Sequence, residues 1–159
     1  MAKLKIVKIG DDTLRKECRP VDKITPRVLQ LLDDMVETMR EADGVGLAAP
    51  QIGVLRRIVV IEVEEGEVLE LINPEIIEAE GENEGLEGCL SLPGQWGIVT
   101  RPMWVKVRAL NRHGEMVEYE GEDLLARCFC HEIDHLNGTL YCDVADRMLT
   151  REEIEEIRG

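Results

Sequence analysis

Aromatic side chains are scarce in this sequence, because one Phe, two Trp and two Tyr make up only 3% of its 159 residues. Aliphatic side chains must therefore fill the core. No apolar run approaches the ~20 residues that a membrane-spanning helix requires. The N-terminal stretch MAKLKIVKIGDD becomes charged before a signal-peptide core can form. We therefore expect a cytoplasmic protein that does not associate with membranes.

Positive charge is also in short supply. The sequence has 33 acidic residues against 19 basic ones, which gives a formal net charge of −14. Such a surface repels the phosphate backbone of nucleic acids. We therefore expect no direct binding to nucleic acid.

The cysteines are few and unpaired in sequence. Five of them are present, an odd number, and no two form a C-x-x-C pair. This pattern disfavours both a disulfide framework and a zinc site built from paired thiols. Any chemistry that they perform is expected to be individual. They are Cys18, Cys89, Cys128, Cys130 and Cys142.

The length and the hydrophobic pattern predict one domain over residues 1–159. An amphipathic helix is expected from Pro26 to Ala42, with Thr25 as its N-cap. A second helix is expected from Leu124 to Asn137, capped by the side chain of Asp123 and ended by Gly138. A short last helix is indicated by Thr150 and Glu153, which have the spacing of a capping box. Strands are expected at 57–64, 68–72, 75–79, 98–101, 104–110 and 115–121.

This order of elements predicts an α+β fold in which mostly antiparallel strands pack around a central helix. That helix carries the sequence HEIDH. Its two histidines, His131 and His135, are four residues apart and project from one helical face, where they can bind one divalent ion. Glu132 lies beside the first of them and can accept a proton from a water molecule at the ion. The motif therefore predicts a metal-dependent hydrolase.

A catalytic ion of this kind needs a third protein ligand. The metzincin pattern would place a histidine where this chain has Tyr141. A downstream glutamate would give a thermolysin-like metallopeptidase, and a cysteine such as Cys89, in EGCLSLP, is a good ligand for zinc or ferrous iron. Spacing alone does not choose between Cys89 and the glutamates. Those glutamates are Glu152, Glu153, Glu155 and Glu156.

Three motifs together resemble a known family. GVGLAAPQ, EGCLS and HEIDHLNG occur in this order between residues 44 and 138, and they are similar to the signature motifs of bacterial peptide deformylases. The early segment VKIGDDTLRKECRPV also resembles the N-terminal part of that family. The resemblance implies an enzyme that removes the formyl group from the N-terminal formyl-methionine of newly made polypeptides and releases formate.

The resemblance also implies roles for individual residues. Cys89, His131 and His135 would bind one divalent ion, and Glu132 would be the acid/base residue. In this family the ion is usually Fe²⁺, and Zn²⁺, Ni²⁺ or Co²⁺ can take its place.

By the same resemblance, the side-chain amide of Gln51 and the backbone N–H of Leu90 would stabilise the oxyanion that forms during hydrolysis. A further set of residues would bind the substrate, with an apolar pocket for the methionine side chain and two residues beside the peptide backbone. These residues are Val45, Gly46, Glu87, Leu124 and Cys128.

Three features depart from the family pattern. Trp96 stands where several relatives have arginine near the substrate, and Arg127 stands where some have an apolar residue beside the methionine pocket. The tail TREEIEEIRG is short and acidic, whereas some relatives have a basic helix that binds the ribosome. The expected partners are therefore nascent formyl-methionyl polypeptides, with at most transient proximity to the ribosome.

Overall fold

The computed structural model describes residues 4–158 and folds them into helices and two antiparallel sheets, which confirms the predicted α+β class. The helices are α1 (Pro26–Glu41), α2 (Leu124–Leu136), α3 (Tyr141–Val144) and α4 (Arg151–Arg158). The strands are β1 (Gly46–Ala48), β2 (Ile58–Ile61), β3 (Leu69–Glu80), β4 (Asn83–Cys89), β5 (Leu92–Arg101), β6 (Trp104–Leu110), β7 (Met116–Glu122) and β8 (Arg147–Met148). None of the helices formed by residues 4–158 combines the length and apolar character needed to cross a bilayer.

A five-stranded sheet, in the order β1-β2-β3-β6-β7, separates the two long helices. Strand β2 shows this arrangement most clearly, because its side chains alternate between two cores. Val59 and Ile61 pack with the core residues of α2, whereas Ile58 and Val60 pack with those of α1. Both faces of the sheet are therefore covered, which explains the continuous apolar run of this strand.

The ends of α1 and α4 follow the predicted capping rules. At the start of α1, Thr25 Oγ1 accepts a hydrogen bond from the Val28 N–H at 3.4 Å, and proline occupies the first turn. Before α4, Thr150 and Glu153 exchange two hydrogen bonds between side chain and backbone at 3.0 and 3.2 Å. Both predictions are confirmed.

Helix α2 contacts strands of both sheets, and ten of its 13 residues are buried. The prediction that the Asp123 side chain caps this helix is wrong. The backbone of Asp123 has a φ of 57°, and its Oδ1 accepts a hydrogen bond from Asn83 Nδ2 at 3.0 Å instead of capping the first turn. The helix nevertheless begins at the predicted residue and is followed by Gly138 in the left-handed region, with a φ of 76°.

Several strands differ from their predicted bounds. The segments predicted at 68–72 and 75–79 form one strand, β3, because a register shift absorbs Asn73 and its left-handed backbone. The Asn73 amide compensates for the interrupted ladder by bonding the N–H and carbonyl of Val21 at 2.8 and 2.9 Å. The segment predicted at 98–101 is only the end of β5.

The second sheet has the order β4-β5-β8, and the hairpin between β4 and β5 was not predicted. Its sequence, NEGLEGCLSLPGQWG, is rich in glycine and proline, which have low strand propensity. This hairpin carries Cys89 at the end of β4 and brings it to α2. The prediction of one domain over residues 1–159 stays a prediction, and residues 1–3 and 159 lie outside the described part.

The close approach at the end of α2 yields a testable prediction. A Cβ on Gly138 would lie 2.5 Å from the backbone oxygen of Arg15, whereas a Cβ on Gly66, with a φ of 86°, would meet nothing within 4 Å. We expect Gly66→Ala to lower the free energy of unfolding by about 1 kcal/mol through backbone strain alone. Gly138→Ala should lower it by at least about 2 kcal/mol, because the backbone at Arg15 must also move. Urea unfolding measures both values, and equal losses would contradict the packing argument.

Candidate active site

Helix α2 and the end of β4 bring three side chains with ligating atoms together. Among residues 4–158, Cys89, His131 and His135 are the one group of three or more Cys, His, Asp and Glu side chains whose ligating atoms lie close enough to hold a metal ion. These atoms all lie within 4.8 Å of one another, and Cys89 Sγ lies 3.4 Å from His135 Nε2. The four-residue spacing on α2 places both imidazoles on one face, as the sequence predicts. The geometry therefore matches a three-ligand metal site.

Cys89 reaches this position through a distortion of the hairpin between β4 and β5. The strand register shifts between Glu87 and Cys89, and the hairpin then turns tightly through Leu90 and Ser91. Gly88 allows the ring of Trp96 to pack closely, because a Cβ there would lie 2.9 Å from Trp96 Cζ3. The bulge and the glycine aim Cys89 toward the helix.

The late glutamates do not join this group. Glu153 pairs with Arg147 at 2.6 Å, and Glu155 pairs with Arg151 at 3.5 Å on the exposed helix α4. None of the glutamates of α4 belongs to the group of ligating side chains described above. The alternative of a thermolysin-like site with a downstream glutamate is therefore not supported.

The carboxylate of Glu87 holds one of the two imidazoles. His131 Nδ1 lies 2.8 Å from Glu87 Oε1, which leaves His131 Nε2 for the site. Although burial acts against it, hydrogen bonds from His131 and Arg101 hold the pKa of Glu87 down at about 2. The carboxylate is therefore negative and orients the ring.

The pKa values of His131 and His135 are shifted in opposite directions. Burial lowers the pKa of His135 well below its usual range, so this imidazole is neutral and its nitrogen lone pair is available. Burial also acts to lower the pKa of His131, but the negative charge of Glu132 and the hydrogen bonds to Cys89 and Glu87 raise it well above the usual range. The surroundings of His131 therefore favour a positive charge on its ring.

Glu132 is buried beside these groups, and one of its carboxylate oxygens makes no hydrogen bond within the described part of the chain. Its Oε1 has no hydrogen-bond partner among residues 4–158, and Oε2 would lie 2.5 Å from a Cβ on Gly46. Burial raises the pKa of Glu132 to about 7, although the nearby His131 acts in the opposite direction. A carboxyl group with this pKa can accept and release a proton near neutral pH.

The residues present fit a divalent ion. One sulfur and two imidazole nitrogens form a donor set that binds zinc, ferrous iron and related ions. The unpartnered oxygen of Glu132 points to a missing polar partner, and a water molecule at such an ion would supply it. An ion and its water would thus explain the unpartnered oxygen of Glu132.

Gln51 lies next to this cluster in the 3-10 turn Ala49–Ile52 and is almost completely buried. Its Oε1 accepts a hydrogen bond from the Ala48 N–H at 2.9 Å, which fixes the orientation of the amide. The amide Nε2 then faces Ser91 Oγ at 3.1 Å and Cys89 Sγ at 3.5 Å. Leu90 follows Cys89 directly in the turn of the hairpin. Both predicted oxyanion donors therefore adjoin Cys89, Gln51 through space and Leu90 along the chain.

A cleft with a volume of about 420 Å³ opens over the cluster. Apolar side chains that are partly exposed form its rim: Val45, Leu86, Trp96 and Leu124. Cys128 is buried at the cleft wall, where burial raises the pKa of its thiol to about 12 and keeps it neutral. Such a cleft suits an apolar ligand.

The structure clarifies the placement of Glu87 and Arg127. The prediction that Glu87 lies beside the peptide backbone stays a prediction. Glu87 lines the cleft, and its carboxylate, which is only 4% exposed, is taken up by His131, Arg101 and Arg127. Arg127 also lines the cleft, and its guanidinium points toward β4 and β5, where Nη2 donates to Asn83 O at 2.7 Å. Attractive charge pairing explains both placements.

Two further neighbours of the cluster, Tyr141 and Ser91, are not marked by any local sequence pattern. Tyr141, considered only for the metzincin pattern, stacks on His131 with ring centroids 5.7 Å apart, and Ser91 bonds Gln51. Asp134, on the same helix as the histidines, accepts a hydrogen bond from Arg101 Nη1 at 2.7 Å. These contacts connect distant segments, so no local pattern reveals them.

Comparison with known proteins places the chain in a family. The family model described as polypeptide deformylase matches residues 3–151. The peptide deformylase of Thermoanaerobacter pseudethanolicus is 60% identical over 151 residues, which cover 95% of this chain and 94% of that protein. The peptide deformylase of Alkaliphilus metalliredigens is 61% identical over 141 residues, covering 88% of this chain and 95% of that protein.

Solved structures show the same likeness. The crystal structure of a peptide deformylase from Legionella pneumophila is similar with a TM-score of 0.88 and 44% identity, covering 98% of this chain and 92% of that one. The structure from Synechococcus elongatus, in complex with actinonin, has a TM-score of 0.87 and 40% identity, covering 98% and 85%. The chain therefore belongs to the polypeptide deformylase family, whose metal-dependent hydrolases remove the formyl group from the N-terminal formyl-methionine of new polypeptides.

Proposed function

We propose that this chain carries out the deformylase reaction at one divalent ion held by Cys89, His131 and His135, with Glu132 as the acid/base residue. The observation that supports this proposal is the convergence of the three ligating side chains beside a buried carboxyl group, at the floor of an apolar cleft. When bound, the ion would supply Lewis-acid chemistry, which polarises the formyl oxygen and makes water more acidic.

Glu132 carries the proton in this proposal. Its carboxylate accepts a proton from the attacking water. It later donates this proton to the amine nitrogen, which leaves when its bond to the formyl carbon breaks and formate is released. A pKa of about 7 suits both steps, because the group is neither too weak a base nor too weak an acid. Burial also keeps bulk water away from the carboxylate.

Gln51 and Leu90 stabilise the oxygen of the formyl group as negative charge develops on it. The Gln51 amide is already oriented by its bond to Ala48, so it needs little reorganisation during the reaction. The N–H of Leu90, the residue that follows Cys89, would be the second donor to the same oxygen. Together the two donors would form an oxyanion hole.

The substrate is proposed to lie as an extended peptide between two strand edges. β1 and β4 are edge strands of their sheets, and residues of both line the cleft. Gly46 on β1 and the backbone of Glu87 on β4 offer hydrogen-bonding groups to such a peptide. The methionine side chain would pack among Val45, Leu124 and Cys128, which are apolar or neutral.

The proposal extends to the native ion and to the cellular setting. We propose Fe²⁺ as the native ion, with Zn²⁺, Ni²⁺ or Co²⁺ as substitutes, because a cysteine with two imidazoles accepts each of them. The substrates would be nascent chains in the cytoplasm. The four glutamates among the eight residues of α4 favour transient proximity to the ribosome over docking on its RNA.

The central test is formate release from a formyl-Met-Ala-Ser peptide by protein purified without oxygen and loaded separately with each of the four ions. We expect release with at least one ion and none after chelation. No release with any ion would overturn the proposed function.

Replacing Glu132 tests the proton carrier. We expect Glu132→Gln to lower the rate of formate release about 10²–10⁴-fold, the usual loss when a general acid–base group is removed. The metal content, measured by elemental analysis, should stay at the wild-type level because the three ligands remain. Glu152→Gln, on the exposed face of α4, is the matched control and should keep full activity. Wild-type activity in Glu132→Gln would contradict the assignment.

Replacing Cys89 tests the third ligand. We expect Cys89→Ser to lower the affinity for Co²⁺ at least tenfold and to remove the sulfur-to-cobalt charge-transfer absorption. Cys142→Ser is the control, since Cys142 is also partly buried but lies outside the group of ligating side chains. The outcome against the assignment is an unchanged absorption band in Cys89→Ser.

A methyl group at position 46 tests the placement of the carboxyl group. We expect Gly46→Ala to push the Glu132 side chain away and to lower the turnover number at least about tenfold. The metal content should be retained, because the three atoms nearest to the new Cβ all belong to Glu132, which is not a ligand. Steady-state kinetics with parallel metal analysis decides this, and full turnover in Gly46→Ala would contradict it.

A further inference from the structure

Arg127 is a buried cation in the helix that carries the histidines. It is the fourth residue of α2 and lies one turn before His131, on the same side of the helix. Its side chain is only 8% exposed. A guanidinium this deeply buried is stable only when its donors are satisfied.

The donors of Arg127 bond to three points of the second sheet. Nη1 donates to Glu87 Oε2 at 2.7 Å and to Val99 O at 2.9 Å, and Nη2 donates to Asn83 O at 2.7 Å. Asn83 and Glu87 belong to β4, and Val99 belongs to β5. One side chain of α2 thus fastens both strands of the hairpin that carries Cys89.

Gly85 provides the space for this contact. A Cβ at position 85 would lie 2.9 Å from Arg127 Nη2. Strand β4 therefore approaches the guanidinium more closely than a strand with a side chain at this position allows. The absence of a side chain at Gly85 thus leaves room for the Arg127 guanidinium against β4.

Arg127 also helps to compensate the negative charge of Glu87. The Glu87 carboxylate accepts hydrogen bonds from Arg101 at 2.8 and 3.0 Å, and from Arg127 on the oxygen that His131 does not use. Asp134 takes the remaining side of Arg101. The two acids and two arginines balance, so Glu87 can hold the His131 ring without an uncompensated buried charge.

We propose that Arg127 is a positioning residue of the metal site, which fixes Glu87 against His131 and fastens the Cys89 hairpin to the helix that carries His131 and His135. This proposal rests on the proposed function, since it takes these three side chains as the ligands. The metal needs its ligands from two separate elements in one fixed geometry. Arg127 bonds directly between those elements, and partners of this kind typically change metal affinity 10–100-fold when removed.

The test measures cobalt binding by the full chain. Metal-free wild type, Arg127→Met and Arg127→Lys are titrated with Co²⁺ in competition with a chelator, and the visible and charge-transfer absorption is recorded. Arg108→Met is the matched control, because it removes the same charge from an exposed arginine that pairs with Glu118 on β7. Thermal unfolding of the metal-free proteins shows which variants are folded.

We expect Arg127→Met to bind Co²⁺ about 10–100-fold more weakly and with shifted absorption bands. Arg127→Lys keeps a charge near Glu87 but cannot reach all three acceptors, so its affinity should lie between those of wild type and Arg127→Met. Arg108→Met should match wild type in affinity and spectrum.

Wild-type affinity and spectrum in Arg127→Met would overturn the proposal. If Arg127→Met does not fold, Arg127→Lys decides in its place, and wild-type values in that variant overturn the proposal. Failure of the wild-type chain itself to bind Co²⁺ with a sulfur charge-transfer band would overturn the proposed function as well. The two failures are therefore distinguishable.

Discussion

Burial of three ionisable side chains on one helical face is the constraint on which the site depends. His131, Glu132 and His135 are each 8% exposed or less. Removing such groups from water is costly unless partners or shifted pKa values compensate. Here Glu87 partners His131, His135 is neutral, and Glu132 has a pKa near neutrality. The same burial that costs stability thus creates a base and keeps His135 neutral, with a nitrogen lone pair available for a metal ion.

The two sheets contribute different groups to this site. The five-stranded sheet is packed on both faces and supports α2 with aliphatic side chains, as the scarcity of aromatic residues requires. The three-stranded sheet supplies Cys89, Glu87 and Arg101, which are the polar groups facing the helix. The two larger hydrophobic clusters thus pack against the first sheet, and the polar partners of His131 and its neighbours come from the second.

Local patterns predicted the helices well because capping and periodicity are local properties. Thr25, Thr150 and Gly138 mark helix ends through contacts with residues a few positions away. Asp123 shows the limit of this reasoning, because a distant residue, Asn83, takes its side chain away from the helix. The hairpin between β4 and β5 was missed because glycines that weaken strand propensity are needed there for close packing against Trp96 and Arg127.

The candidate site was predictable only in part from spacing. The pair His131 and His135 with Glu132 follows from helix geometry, but the choice of Cys89 over the late glutamates required either the family resemblance or the folded structure. The network of Glu87, Arg101 and Arg127 has no local signal, since its members lie 14 to 40 residues apart.

The same network explains how a charge at position 127 is compatible with an apolar cleft. Arg127 is among the residues that line the cleft, but its guanidinium donates to Glu87 and to two backbone carbonyls of β4 and β5. Its charge is therefore compensated within the protein, and its hydrogen-bond donors are not left for a ligand to satisfy. Leu124 and Cys128 of the same helix still offer apolar or neutral surface to the cleft.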